Sequence, residues 1–488
     1  MTSNQLKNEH LLWRAGFGPM AEEIHQLSEA SQKSYVKAIF DASSKAPEYI
    51  DVASNAVKGL IMGMGEIGKQ NNPLNDEEKK KFRQQSRQDI KNLNLSWLNE
   101  MVSSGQQLRE KLAFFWHGHF ASRNLNILYQ QQLLDILRRN ALGNFGNLLI
   151  EVSKSAAMIN FLNTNQNRKG QPNENFAREV MELFTLGRGN YTENDIKEAA
   201  RSFTGWGANF AGEFVFRRQH HDNGNKTIMG KTGNFTGDDV LAILLQQKET
   251  ARFITQKIYS YFVNEKVDEN RISWLAGRFY QSNYDIESLM RDIFSSDWFY
   301  EAQNIGCRIK SPIELIVGIR RLLPMEIENE GVLLQLQRLL GQILFYPPNV
   351  AGWPGGKRWI DSSSLMLRLR IPQMIYVSDE LHMKPKDDDD QMMGRMEIPS
   401  NKLDSKNSKT KGKKNNQIIN TIDWNSYLKN LESVPREKLL GEISKVLLCT
   451  ISSVNVHAVN KFIDSSSREA FIKTATIQLM STPEYQLC

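Results

Sequence analysis

Apolar residues recur at three- and four-residue spacing from one end of this 488-residue chain to the other, and alternating β-branched runs are few. That period is helical, because residues three and four apart share one face of an α-helix. The fold class predicted is all-α, a large multi-helical domain with at most a small β-hairpin. Helix starts are marked where they should be. Thr192 with Asp195 opens a helix over 193–203, and Thr236 with Asp239 opens one over 237–247, both as capping boxes. Gly187 and Gly205 supply stops. The strand candidate is 212–217, which could pair with 227–229 as a hairpin on the helical body.

Composition shifts abruptly at residue 384. From there to about 420 the chain is Lys, Asp, Asn, Ser and Met with almost no aromatic residue, the make-up of a disordered insertion. The organisation predicted is a helical core over 1–383, this insertion over 384–420, and C-terminal helices over 421–488 that pack back on the core. The segments 293–299 and 479–485 echo each other weakly, each an apolar pair, two small hydroxyl residues and an aromatic, which reads as a shared helix-end device. No repeat of fixed period argues for a solenoid.

The net charge of +6 suggests an acidic partner until it is located. Residues 384–414 hold nine Lys or Arg against six acids, so three of the six excess charges sit in the insertion and the remainder of the chain is close to neutral. Nucleic-acid binding loses its main support. Cys307, Cys449 and Cys488 are far apart, with neither disulfide nor thiolate-zinc spacing, and fit a reducing compartment. No run of eighteen apolar residues predicts a membrane span. The first ten residues carry no apolar run of a signal peptide, so the location expected for the chain as encoded is the cytoplasm.

Several clusters could carry chemistry. Between Asn160 and Asn167 stand five Asn or Gln side chains, more than a solvated turn requires; Asn163, Asn165, Asn167, Arg168 and the following Asn175 are candidate ligand-binding residues. In the helix predicted over 108–120, Leu108, Leu112 and Phe115 share a face. His119 falls within that face and His117 opposite it, so the pair cannot chelate one metal while helical. His119 reads as an interior histidine or a catalytic one, and His117 as a surface or cap residue. Over 174–186, Asn175, Glu179 and Glu182 line up beside the apolar face and can present two carboxylates to one pocket as metal ligands or as an acid and base pair. The bland reading pairs Glu174 and Glu182 with Arg178, leaving Glu179 as the first choice.

His221 and Asp222, in the turn-rich 220–226 loop, could serve as a base with its orienting acid or as two metal ligands. Equally, Asp222 could cap its own turn. The nearby Gly230-Lys-Thr232 mimics a phosphate-binding loop but fails on glycine spacing and on the helix that should follow it. The loop 346–359, punctuated by proline and glycine, carries Trp353 and Trp359 beside Lys357 and Arg358. These rings can offer a platform to a ligand or pin the loop to the core.

The Asn-rich block, together with Phe115-Trp-His-Gly-His-Phe120, Asn349-Val-Ala-Gly-Trp-Pro-Gly-Gly356, the opening His10-Leu-Leu-Trp-Arg-Ala-Gly-Phe-Gly18 and the closing 479–488, resembles the bacterial family called domain of unknown function 1800. The resemblance spans most of the chain and assigns no activity. His119 belongs to its Trp-His-x-His-Phe motif. The combined expectation is one polar pocket where the His119 helix, the Glu179 helix, the Asn-rich segment and the His-Asp loop converge, serving an enzyme of hydrolytic or metal-assisted type; the sequence names neither metal nor cofactor. The alternative is an assembly, maturation or co-export partner. Family resemblance implies a neighbouring protein of the domain of unknown function 1501 family, which looks like the sulfatase and phosphatase superfamily, and hence a periplasmic location by co-export.

Overall fold

The computed structural model describes residues 3–59, 75–379, 418–450 and 459–488. It is α-helical throughout, with three two-stranded sheets among the described residues. The expected capping boxes form. Thr192 and Asp195 open Glu193–Ser202, and Thr236 and Asp239 open Gly237–Leu245. Each cap satisfies backbone N–H groups that the first helical turn leaves unbonded.

At the centre stands Gln107–His119, packed by Asn4–Ala15, Gln32–Ala42, Asp76–Ser103 and Ile127–Arg139. Nearly every residue of this helix is buried, so it has no solvent face. Its polar members are paired inside. Glu110 takes Arg138 Nη2 at 2.7 Å and Trp97 Nε1 at 2.9 Å, and Lys111 meets Glu314, both fully buried. Such pairs are costly to break, since removing one partner strands a charge in the interior. The same burial corrects the placing of His117. It is 1% exposed, accepts the Phe345 N–H at 3.1 Å on Nε2, and lies against Trp97, Phe345 and Trp353. The single-apolar-face argument fails for a helix buried all round.

The 174–186 segment departs from a regular helix. Asn175–Glu179 is α, and Val180–Thr185 widens into a π turn, with the Leu186 N–H reaching Met181 O at 2.9 Å. Wider turns of this kind are uncommon and shift the register of side chains that follow. The strand candidate forms, with different partners. Phe214–Phe216 pairs with Trp206–Ala208, while Lys226–Ile228 pairs with Lys231–Gly233. Strands of three residues carry too little pattern to choose a partner, and a neighbouring turn in each case does so.

A third pair, Met325–Ile327 with Asn420–Ile422, ties the C-terminal part to the core. Arg468–Met480 packs on Ser362–Val377 and on Leu439–Leu447. The lysine-rich insertion lies outside the described residues as far as 417; Ile418 is buried and Asn420 begins the strand. Both echoing segments end an α-helix and enter a 3-10 turn, at Asp297–Tyr300 and at Glu484–Gln486. The opening and closing motifs meet: Arg14 Nη2 donates to Asn304 O and to Cys488 O, each at 2.9 Å, and Lys310 Nζ lies 3.7 Å from the Trp13 ring. No helix among the described residues is long and apolar enough to cross a membrane.

Candidate functional site

A cavity of about 430 Å³ opens between Gln107–His119, Lys248–Phe262 and the tryptophan loop. Its volume falls in the range of small-molecule sites. Phe253, Gln256, Lys257, Ser260 and Tyr261 form one wall, spaced as one face of a helix. Phe114, Phe115, Gly118 and His119 form the second. Trp353, Pro354, Gly355, Gly356 and Trp359 close the third, with Arg308, Ser311, Gln342 and Glu265 completing the lining. The character is aromatic with a few placed polar groups.

Glycine sets the third wall. Gly352 has φ +83°, and a Cβ there would lie 2.3 Å from Gly118 O, so the loop can press on the end of the His119 helix only at a residue without a side chain. That contact holds Trp353 beside His117, ring centroids 5.2 Å apart, and over the cavity. Gly187, at φ +77°, plays the same part for Phe253, whose ring would stand 2.7 Å from an added Cβ.

The π turn offers two carbonyls to side chains of the cavity wall. Leu183 and Phe184 lie in the last turn, where helix carbonyls have no partner further along the helix. His119 Nε2 donates to Phe184 O at 3.3 Å, and Lys257 Nζ donates to Leu183 O at 3.3 Å and to His119 Nδ1 at 3.1 Å. A carbonyl only accepts, so the ring proton sits on Nε2 and the Nδ1 lone pair faces Lys257. Burial first, then the charge of Lys257, hold His119 far below the usual histidine range. It stays neutral. Burial also lowers Lys257, to about 8. Lys257 is the residue that sequence reasoning missed; its signal was the aromatic neighbours four residues away on either side, Phe253 and Tyr261.

Of the residues proposed from sequence, His119, Trp353 and Trp359 line this cavity. Trp359 is buried and Trp353 half-buried, so each ring both anchors the loop and forms wall. Glu182 instead accepts from Tyr191 Oη at 2.7 Å and Arg188 Nε at 2.5 Å. Those partners lower its pKa, Tyr191 first. Arg178 bonds Glu174 and Glu193, so the helical pairing with Glu182 does not form across the π turn. Glu179 is half-buried, and burial followed by the charge of Glu182 raises its pKa. Neither carboxylate lines the cavity.

The asparagines stitch backbone. Asn165 Oδ1 accepts the Ala208 N–H at 3.1 Å and Arg217 Nη1 at 3.3 Å. Asn167 donates to Ala200 O at 2.8 Å and accepts the Asn173 N–H at 2.9 Å. Asn163 takes a left-handed turn, φ +56°, ahead of the short 3-10 helix Thr164–Gln166. Arg168 and Asn175 are exposed. In the next loop, His221 Nδ1 lies 2.8 Å from Thr204 O, and Asp222 faces away to Arg201, 2.9 Å from Nε, while accepting the Gly224 N–H at 2.8 Å. Asp222 caps its own turn, and Arg201 chiefly lowers its carboxyl to about 2. The His-Asp dyad does not form, and the convergence expected from sequence divides into a cavity and two separate polar networks.

No curated protein and no solved structure matches the chain. The family described as proteins of unknown function (DUF1800) matches residues 10–487, which takes in both walls of the cavity and the tryptophan loop, and the chain belongs to that family.

Proposed function

We propose that this protein is an enzyme acting on a small molecule held in the aromatic cavity, with Lys257 as the group that takes up and returns a proton. The observation that carries this is the bonding of Lys257. A neutral amine has two N–H groups and one lone pair. With both N–H groups engaged, by His119 Nδ1 and Leu183 O, the lone pair is left for the cavity that Lys257 lines. When Lys257 is protonated, the third N–H takes that direction. A pKa of about 8 keeps both forms populated near neutrality, as general acid–base work requires.

Proton transfer of this kind serves the hydrolytic chemistry expected from sequence. The metal-assisted version finds no donor set, since no group of three His, Cys, Asp or Glu converges among the described residues. Competitive acylation with acetic anhydride, read by peptide mass mapping across pH, tests the proposal. Lys257 should reach half-maximal reactivity near pH 8, about two units below the exposed lysines. A profile that coincides with theirs would sink it.

A further inference from the structure

Arg308 lines the same cavity, is 7% exposed, and its Nη1 makes no hydrogen bond. The neighbouring carboxylate does not supply one. Glu314 Oε1 stands 3.8 Å from that nitrogen and is bonded to Lys111 Nζ, and Glu314 Oε2 accepts the Ser311 N–H at 2.7 Å. The contact is an ion pair across a distance too long for a hydrogen bond. The guanidinium is braced over the Tyr261 ring, 4.5 Å from its centroid. Burial disfavours its charge, yet Glu314 and Cys488 hold it firmly protonated. A buried donor with no acceptor costs free energy, and more when it is charged.

Two buried neighbours add donors at this end of the cavity. Ser311 Oγ accepts the Glu314 N–H at 3.3 Å and keeps its own O–H to give. Gln342 Oε1 accepts the Ile313 N–H at 3.1 Å, which leaves its amide NH₂ as a donor. Both line the cavity, and Ser311 caps Pro312–Leu322, whose first turn carries the positive end of the helix dipole. The exposed Glu265 also lines the cavity, beside Gly356 of the tryptophan loop.

We infer that the cavity takes a flat apolar molecule bearing one anionic group, a carboxylate or a phosphate, which docks on Arg308 with Ser311 and Gln342. Its body lies along Phe114, Phe115 and Trp353. The inference names the substrate class for the Lys257 reaction and rests on that reading.

Calorimetric titration of the full chain at neutral pH with 2-naphthoate, 2-naphthyl phosphate and the uncharged 2-naphthamide tests it. At least one anion should bind about tenfold or more tightly than the amide, as a charge-assisted hydrogen bond warrants. The anion that gains more identifies the group. Arg308→Met should abolish that advantage, and Arg308→Lys should keep part of it. Should Arg308→Met fail to fold, the comparison in the native protein together with Ser311→Ala, which should narrow the gap, decides the matter. Equal affinity for all three probes, an advantage that survives in Arg308→Met, or no binding by any probe overturns the inference. The acylation profile of Lys257 is read without ligand, so a failure here leaves the enzyme reading to be judged separately.

Discussion

Lys257 gives one of its protons to Nδ1 of His119 across 3.1 Å, so the two bases share one hydrogen bond and cannot both be cationic without placing two N–H groups head to head. The lysine holds the titration and the histidine holds the lysine. The pair therefore behaves as a single ionisable unit set into an apolar wall.

The stability of the protein should depend on pH through this unit. Burial lowers the folded-state pKa of Lys257 from 10.5 to about 8, so between those values the unfolded chain binds more protons than the folded one. Stability from this group therefore rises as pH climbs from about 8 to about 10.5, and its penalty is complete below that window. Lys257→Met removes the titration. Denaturant melts should show the native protein gaining on the variant by roughly 1–3 kcal/mol across the window, and parallel curves would refute it.

His119→Ala should destabilise the fold by about 2–4 kcal/mol, because it opens a void among Phe115, Trp116 and Phe120 and strands the Phe184 carbonyl. Urea unfolding measures this directly. A loss under about 0.5 kcal/mol, the level of an exposed site, would show the ring is not bonded as described.

Gly352→Ala should cost about 1–3 kcal/mol, since any side chain there meets Gly118 O and the backbone lies in the left-handed region. The loop would lift and carry Trp353 with it. Red-shifted tryptophan emission and a lowered melting temperature are the expected signs, and native-like values for both would contradict the contact.

Glu179→Gln and Glu182→Gln should each change stability by less than about 1 kcal/mol, as carboxylates at the edge of the core with some contact to solvent do. Neither should move the pH profile of Lys257 acylation. A shifted profile in either variant would place the carboxylates electrically closer to the cavity than the structure does.

Much of the helical framework was legible from the chain. Thr192 with Asp195 and Thr236 with Asp239 announce their helices because a capping box is a local bond, complete within four residues. The family motif led to His119 and to the tryptophan loop. Lys257 escaped because a lone lysine in an amphipathic helix usually marks the solvated face, and only the tertiary position of the π-turn carbonyls turns it inward. The asparagines misled for the converse reason: an amide suited to a ligand is equally suited to backbone, and Asn165 and Asn167 spend theirs on Ala208, Ala200 and Asn173. Arg308 has no periodic pattern around it, and its missing bond is visible only with Glu314 and Lys111 in place.

The cavity's walls come from residues as distant as Phe114, Lys257, Arg308 and Trp359. No fragment ending before Trp359 can contain it, whatever helices have already formed, and its closure waits on pairings of high sequence separation, which form slowly. Binding competence is consequently acquired only when those pairings are complete. A ligand for this cavity would find no partner in any shorter fragment and would act on the finished molecule alone, stabilising it in proportion to its occupancy.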